Sequence, residues 1–223
     1  MPLLTYTRNL ASQQWTTLYL PFEIPFEMIA DDYRVASVNA LFAQDNNGNG
    51  AIDHLQLQAI ELEDGVLKAN HPYLLKPKTE EAMAMDIYLE NTVLYPSESK
   101  TVSFSAKYPK FDITGIYDNT SANHLGAYYT LTDNGTWQPI VSILDIRPYR
   151  FYILIREMSN SLIQVEDDAL SSISISVVDA ATGIDQVHGL GDGKSVEIFD
   201  ISGRRVNALT NGVYVINGKK VVK

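Results

Sequence analysis

The segment best equipped for chemistry reads Asp45-Asn46-Asn47-Gly48-Asn49-Gly50-Ala51-Ile52-Asp53. Asp45, Asn47 and Asn49 occupy positions 1, 3 and 5 of a calcium-binding loop, with Gly50 at position 6, Ile52 at 8 and Asp53 at 9. Calcium takes clustered oxygen ligands at this spacing, and the glycine permits the sharp turn that brings them together. The candidate metal ligands are therefore Asp45, Asn47, Asn49 and Asp53. Two departures favour a plain polar hairpin loop instead. Position 12, where a bidentate carboxylate would close the shell, is Gln56, and the flanks alternate as strands do rather than forming helices.

Other chemistry-bearing residues are weaker. Gly189-Leu190-Gly191-Asp192-Gly193-Lys194-Ser195 has the flavour of a phosphate-binding loop, but His188 stands where the first glycine belongs and Val196-Glu197-Ile198-Phe199 reads as strand rather than helix. It is read as linker. His54, His71, His124 and His188 are isolated, without the spacing of a zinc site. No Gly-x-Ser-x-Gly elbow is present. The carboxylate pairs Asp31-Asp32, Glu80-Glu81 and Asp167-Asp168 could serve a glycosidase, yet adjacent acids in an acidic chain are better read as solvated charge. Trp15, Tyr128, Tyr129, Trp137, Tyr149, Phe151 and Tyr152 lie in or beside strand-like runs. On a sheet surface they could stack a sugar or meet a protein; inside, they would be core.

Such residues need a scaffold, and composition bounds it. The chain has 223 residues, 45% hydrophobic and 20% charged, which suits a globular protein with one large β domain or a medium domain plus a small one. It has no cysteine, which removes disulfides, thiolate metal sites and cysteine nucleophiles. The net charge is −10, unevenly spread. Residues 1–183 carry 23 acidic and 11 basic side chains, a net −12, whereas residues 184–223 carry 4 and 6, a net +2. A domain that acidic repels phosphate backbones, so nucleic acid is not an expected partner. No apolar run reaches the roughly 20 residues of a membrane-spanning helix, and no signal peptide is visible at the start of the sequence.

Alternation of period two dominates. Met83, Met85, Ile87 and Leu89 share one face, Leu55, Leu57 and Ala59 another, and Ile173, Ile175 and Val177 a third; Thr101 to Ser105 repeats the pattern. Turn signals separate these runs, among them Glu63-Asp64-Gly65, Asp133-Asn134-Gly135 and Asn211-Gly212. Many short strands at close spacing predict an all-β fold, a β-sandwich or barrel-like main domain with a small C-terminal β-module. One helical turn is expected over Phe26 to Asp32. The domain plan is a main domain at 1–179, a linker rich in Gly, Ala and Asp at 180–193 and a C-terminal module at 194–223.

Ser195-Val196-Glu197-Ile198-Phe199-Asp200-Ile201-Ser202-Gly203-Arg204-Arg205-Val206, followed by Leu209-Thr210-Asn211-Gly212-Val213-Tyr214-Val215-Ile216-Asn217-Gly218-Lys219-Lys220, resembles the C-terminal sorting domain of type IX secretion in Bacteroidetes. Upstream, Trp15-Thr16-Thr17-Leu18-Tyr19-Leu20-Pro21-Phe22, Ala69-Asn70-His71-Pro72-Tyr73-Leu74-Leu75-Lys76 and Ile146-Arg147-Pro148-Tyr149-Arg150-Phe151-Tyr152 are similar to three blocks of an uncharacterised β domain of Bacteroidetes surface proteins. The resemblance implies export through a dedicated machinery that reads the C-terminal module, an extracellular or outer-surface location, and no catalytic residues to transfer.

The functional expectation is a non-enzymatic exported or cell-surface protein that binds a glycan or protein or serves in adhesion, without a cofactor. The alternatives are a glycan-active enzyme with dispersed carboxylates and an adhesin stabilised by calcium in the 45–53 loop.

Overall fold

The computed structural model describes residues 3–95, 101–105, 109–118, 120–122, 128–140, 144–158, 164–179, 198–200, 213–216 and 219–222. Apart from three short 3-10 turns at Phe26–Met28, Glu81–Met83 and Asp167–Leu170, the regular structure described is β-strand, as the alternation predicts. The chain divides into two compact units, Met1–Val178 and Asp179–Lys223.

The first unit is organised by a ten-stranded sheet that curls as a half-barrel. Four strands drawn from residues 16–77 form one half, in the order Thr16–Leu18, Tyr73–Pro77, Tyr33–Gln44, His54–Glu61. Five drawn from residues 101–157 form the other, in the order Trp137–Pro139, Tyr128–Leu131, Arg150–Glu157, Lys110–Ile116, Thr101–Phe104. Ile173–Asp179, the last strand of the unit, lies between the halves, joining Trp137–Pro139 to His54–Glu61. A separate antiparallel ribbon pairs Leu3–Asn9 with Ala84–Glu90, Leu3 standing opposite Glu90 and Asn9 opposite Ala84.

The faces predicted from Leu55, Leu57 and Ala59 and from Met85, Ile87 and Leu89 are buried, whereas that of Ile173, Ile175 and Val177 is fully buried only at Ile173. Leu55, Leu57 and Ala59 are fully buried, as are Ile153 and Ile173, and Met85, Ile87 and Leu89 turn inward from the ribbon. One core cluster gathers Trp137, Tyr129, Phe151, Phe111 and Ile113 with Leu55 and Leu57, so it draws on both halves of the sheet. A second packs Tyr6, Phe22, Ile24, Tyr33 and Leu75 beneath the ribbon. Burial of this kind contributes roughly 25 cal/mol per Å² of apolar surface and is what holds the two halves together.

Tyr19 and Gly115 interlock at the centre. Tyr19 is fully buried, and a Cβ built on Gly115 would lie 2.5 Å from ring atom Cγ and closer still to Cδ1 and Cε1. Glycine is needed there for close approach rather than for its backbone freedom. The helical turn expected over Phe26 to Asp32 shrinks to a 3-10 helix over Phe26–Met28. Its bonds end with Tyr33 N–H donating to the Ile29 carbonyl at 2.9 Å, because Tyr33 already opens a twelve-residue strand.

In the second unit, Ile198–Asp200 pairs antiparallel with Val213–Ile216, which pairs antiparallel with Lys219–Val222. The expected linker at 180–193, the Gly189–Ser195 segment and the turn at Asn211-Gly212 lie outside the described residues. Among the described residues no helix is long and apolar enough to cross a membrane.

Candidate functional site

The 45–53 segment caps the hairpin between Tyr33–Gln44 and His54–Glu61, and its four candidate ligands do share one loop. Their oxygens face the loop's own backbone. Asp45 Oδ1 accepts from Gly48 N–H at 2.7 Å and Asn49 N–H at 3.2 Å, and Oδ2 accepts from Gly50 N–H at 2.8 Å. The Asp53 carboxylate accepts from the N–H groups of Asn46 and Asn47 at 3.0 Å. Asn47 Oδ1 takes Asn49 N–H at 3.0 Å, and Asn49 Oδ1 takes Ala51 N–H at 2.8 Å. Every backbone donor from Asn46 to Ala51 is thus satisfied by a side chain, and Gly48 and Gly50 adopt the positive φ the turn requires, +75° and +87°.

One member of this site is invisible to local sequence reasoning. Glu166 arrives from far down the chain, where Gln164–Val165 pairs in parallel with Ala51–Ile52. Its Oε1 accepts from Asn47 Nδ2 at 3.1 Å and Asn49 Nδ2 at 2.6 Å. Gln56 at position 12 offers no carboxylate, and Glu166, from across the fold, meets the amide nitrogens of Asn47 and Asn49 rather than their oxygens. Two of the five side chains are amides, and among the described residues no three His, Asp or Glu side chains gather as a metal centre. What the loop offers is a mixed set of carboxylate and amide oxygens.

The other expected residues scatter. His54 Nε2, on the His54–Glu61 strand, shares a hydrogen bond of 2.8 Å with Ser174 Oγ, and His71 Nε2, in the loop before Tyr73–Pro77, one of 2.7 Å with Ser37 Oγ. Burial, and then the charge of Lys68, lower the His71 pKa. His124 and His188 lie outside the described residues. Asp31, Asp32, Glu80 and Glu81 are exposed around turns. Of the aromatic residues, Trp137, Tyr129 and Phe151 are core, and Trp15 is half-buried with the Arg34 guanidinium 5.4 Å from its ring.

The three upstream sequence blocks converge. Thr16–Leu18 pairs with Tyr73–Pro77, Asn70 N–H donates to the Leu20 carbonyl at 2.7 Å, and Tyr19 N–H donates to the Tyr149 carbonyl at 3.1 Å. Asn70 and Tyr149 both have left-handed backbones, with φ of 56° and 61°. Tyr117 lies between them: its hydroxyl donates to Asn70 Oδ1, and its ring centroid is 6.3 Å from that of Tyr149. Burial, followed by the nearby Tyr19, raises the Tyr117 phenol well above its usual range; burial alone pushes Tyr19 up to about 12. Neither phenol ionises near neutral pH, so the junction is a neutral structural knot.

Among the described residues, exposed large apolar side chains gather along one stretch of chain, the ribbon and the segment that leaves it. Of the eight large hydrophobic side chains exposed among the described residues, five belong to the ribbon or the segment leaving it: Leu3, Tyr88, Val93, Leu94 and Tyr95. Leu3 and Tyr88 are diagonal neighbours on the outer face of the ribbon, where Leu3 opposes Glu90 and Thr5 opposes Tyr88. Asn91, with φ of 55°, turns the chain out of the strand. Tyr95 N–H then donates to the Pro21 carbonyl at 2.7 Å, and Asn70 Nδ2 donates to the Tyr95 carbonyl at 3.2 Å. The backbone of this ridge is therefore tied to the junction while its side chains face water. Elsewhere, an apolar groove of about 450 Å³ is lined by residues including Tyr129, Ile155, Met158 and Leu170.

No protein-family profile, curated protein or solved structure matches the chain.

Proposed function

We propose that this chain is an exported or cell-surface β protein that binds a protein partner through the ridge formed by Leu3, Tyr88, Val93, Leu94 and Tyr95. The ridge carries this reading, because large apolar side chains held out on an anchored backbone are costly to leave in water and commonly mark a contact surface. Tyrosines alone would suit a sugar, but Val93 and Leu94 have no face to stack on one and suit a partner's apolar side chains. Asp86 and Glu90 share the ribbon's outer face, so the matching surface is apolar with a rim of Lys or Arg. Export rests on the resemblance of residues 195–220 to a secretion sorting domain, with that module addressing the chain to its machinery.

Peptides selected from a displayed random library on the wild-type chain should be rich in apolar residues flanked by Lys or Arg. They should lose at least about tenfold in affinity for the V93S/L94S variant, since contacts central to an interface carry most of its energy. Because both side chains are exposed, that variant should melt with the wild type. Binders indifferent to V93S/L94S, or binding to a glycan array that survives it, would refute the ridge. Fractionation of the native protein to the cytoplasm would refute export.

A calcium-stabilised module is the second reading, carried by the four oxygen-bearing side chains of one loop, Asp45, Asn47, Asn49 and Asp53, with the Glu166 carboxylate hydrogen-bonded to both amides. Extracellular calcium modules bind at about 0.1–1 mM. With a dissociation constant of ~1 mM, 10 mM calcium should stabilise the fold by about 1.4 kcal/mol. Glu166→Gln should abolish that gain. A melting temperature blind to both calcium and chelator would dismiss this reading.

A further inference from the structure

Arg150 is a mostly buried charge at the start of the Arg150–Glu157 strand. Its side chain is 15% exposed, and the ion-pair contact described for it is with Asp133 Oδ1 at 3.8 Å, too long for a good hydrogen bond. Asp133 itself faces water, with its side chain 65% exposed. A guanidinium has five N–H donors, and leaving them unmet in a mostly buried site is costly. Burial first, then the neighbouring charge of Arg8, lower the Arg150 pKa to about 10; Asp133 opposes this and Arg147 adds to it. The group remains cationic at neutral pH.

The surroundings deepen the imbalance. Arg8 is held in place, donating to the Thr17 carbonyl and to Thr16 Oγ1, each at 2.8 Å. Arg147, in the turn before Tyr149, is exposed. The Tyr6 hydroxyl is buried without a hydrogen bond of good geometry, in a residue only 4% exposed, and the charges of Arg8 and Arg150 both act on it. Its ring packs edge-on against Tyr149, with centroids 5.1 Å apart, and the left-handed backbone of Tyr149 delivers both that ring and the start of the Arg150–Glu157 strand. In a chain of net charge −10, Arg8 and Arg147 both act on the charge of Arg150 and Asp133 is the acid that opposes them, a local excess of positive charge beside the buried Tyr6 hydroxyl. Buried polar groups left in this state commonly mark the place of an ion.

We infer that Arg150, with Arg8, Arg147 and the Tyr6 hydroxyl, forms a binding site for a single oxyanion. Carboxylate, sulfate and phosphate share the chemistry: a planar guanidinium meets two of the anion's oxygens at once, and a phenol donates to a third contact. Asp133 is the competitor the anion displaces. The site is independent of the apolar ridge.

The test is thermal unfolding of the full chain, followed by tryptophan fluorescence at fixed ionic strength in chloride, sulfate, inorganic phosphate and glucuronate. Oxyanions can stabilise proteins by general exclusion from the surface, so the informative quantity is the difference between variants. For the wild type, at least one oxyanion should raise the melting temperature saturably, and by more than it raises that of Arg150→Met. The anion that does so identifies the source. In chloride, Arg150→Met should melt no lower than the wild type, because it removes an unmet charge. Asp133→Asn should lower the half-saturating concentration at least threefold, whereas Arg147→Gln and Tyr6→Phe should raise it without lowering stability in chloride. Equal responses of wild type and Arg150→Met would overturn the site. So would matched losses of stability in Arg150→Met and Asp133→Asn, which would make the pair a simple structural ion pair. Should Arg150→Met fail to fold, unchanged anion responses in Asp133→Asn and Arg147→Gln would overturn the site equally.

Discussion

Replacing Gly115 with alanine tests the packing at the centre of the sheet. The added methyl would fall within 2.5 Å of three ring atoms of Tyr19, where ordinary contacts lie at 3.4–4 Å, so the ring must retreat by more than an ångström. It has little room to do so, because Tyr117 and Phe151 stand at centroid distances of 5.8 and 6.5 Å and the ring is wholly buried. Overpacking of this kind costs about 1–3 kcal/mol, and the rigid surroundings place Gly115→Ala at the upper end, about 3 kcal/mol. For a unit of this size that corresponds to a fall in melting temperature of roughly 6–12 °C. Both tryptophans of the chain, Trp15 and Trp137, lie in the first unit, so fluorescence excited selectively at tryptophan reports its unfolding without contribution from the second. The cause is isolated by a double-mutant cycle. In a Tyr19→Ala background the same substitution should be nearly neutral, since the clash is gone, giving a coupling energy of about 2–3 kcal/mol. A Gly115→Ala melt within a degree of wild type, or an equal loss in both backgrounds, would refute the reasoning.

Glu61 accepts from Arg34 Nε at 2.7 Å and Nη2 at 2.5 Å, and this hydrogen bonding chiefly lowers its pKa in the folded state. Its stabilisation is therefore present above the unfolded value of 4.5 and is lost as pH falls through the lower folded value. Denaturant titrations should show Glu61→Gln costing about 0.5–1 kcal/mol above pH 5, a difference that fades as pH falls below that, a modest figure because Arg34 is substantially exposed. His71 is depressed by burial, so below its ordinary 6.5 the unfolded chain takes up the proton first and stability declines until the folded pKa is passed. His71→Asn should flatten that decline in an equilibrium unfolding series from pH 7.5 to 5, and a slope unchanged by the substitution would contradict the burial argument. At Asn70, alanine loses the side-chain bonds to Tyr117 and Tyr95 and also strains the left-handed backbone, whereas glycine loses only the bonds. Asn70→Ala should thus be the less stable of the two in thermal melts, by about 1 kcal/mol.

The fold class was legible because burial on one face of a strand repeats every second residue. Met85, Ile87 and Leu89 announce a ribbon, and Asp133-Asn134-Gly135 announces the turn between Tyr128–Leu131 and Trp137–Pro139, with Gly135 at the expected positive φ. The loop at 45–53 was legible as an oxygen-rich turn because its spacing is local. Its fifth member was not, since Glu166 reaches it through a parallel pairing between residues more than a hundred positions apart. The same limit hides the Arg8, Arg147 and Arg150 grouping, which exists only once the ribbon and the Arg147–Tyr149 turn are in place. Aromatic side chains divided in a way that composition does not encode. Trp137 and Phe151 went to the core, while Tyr95, which no local pattern distinguishes, was left in water; Tyr88 is outward as the alternation of its strand requires.

The seat of Ile173–Asp179 in the middle of the ten-stranded sheet bears on how the first unit comes into being. A ribosome delivers the chain from its N-terminal end, so the 16–77 half and the 101–157 half are both complete before the strand that unites them emerges. Until then, His54–Glu61 and Trp137–Pro139 each present an open edge, the kind of template on which foreign strands pair. Closure waits for the latest-arriving segment and depends on contacts distant in sequence, which slows folding and lengthens the exposure of both edges. A chain ending before residue 173 should therefore accumulate as aggregates rather than as a smaller folded domain, and any holding factor that accompanies this protein would act on those two edges.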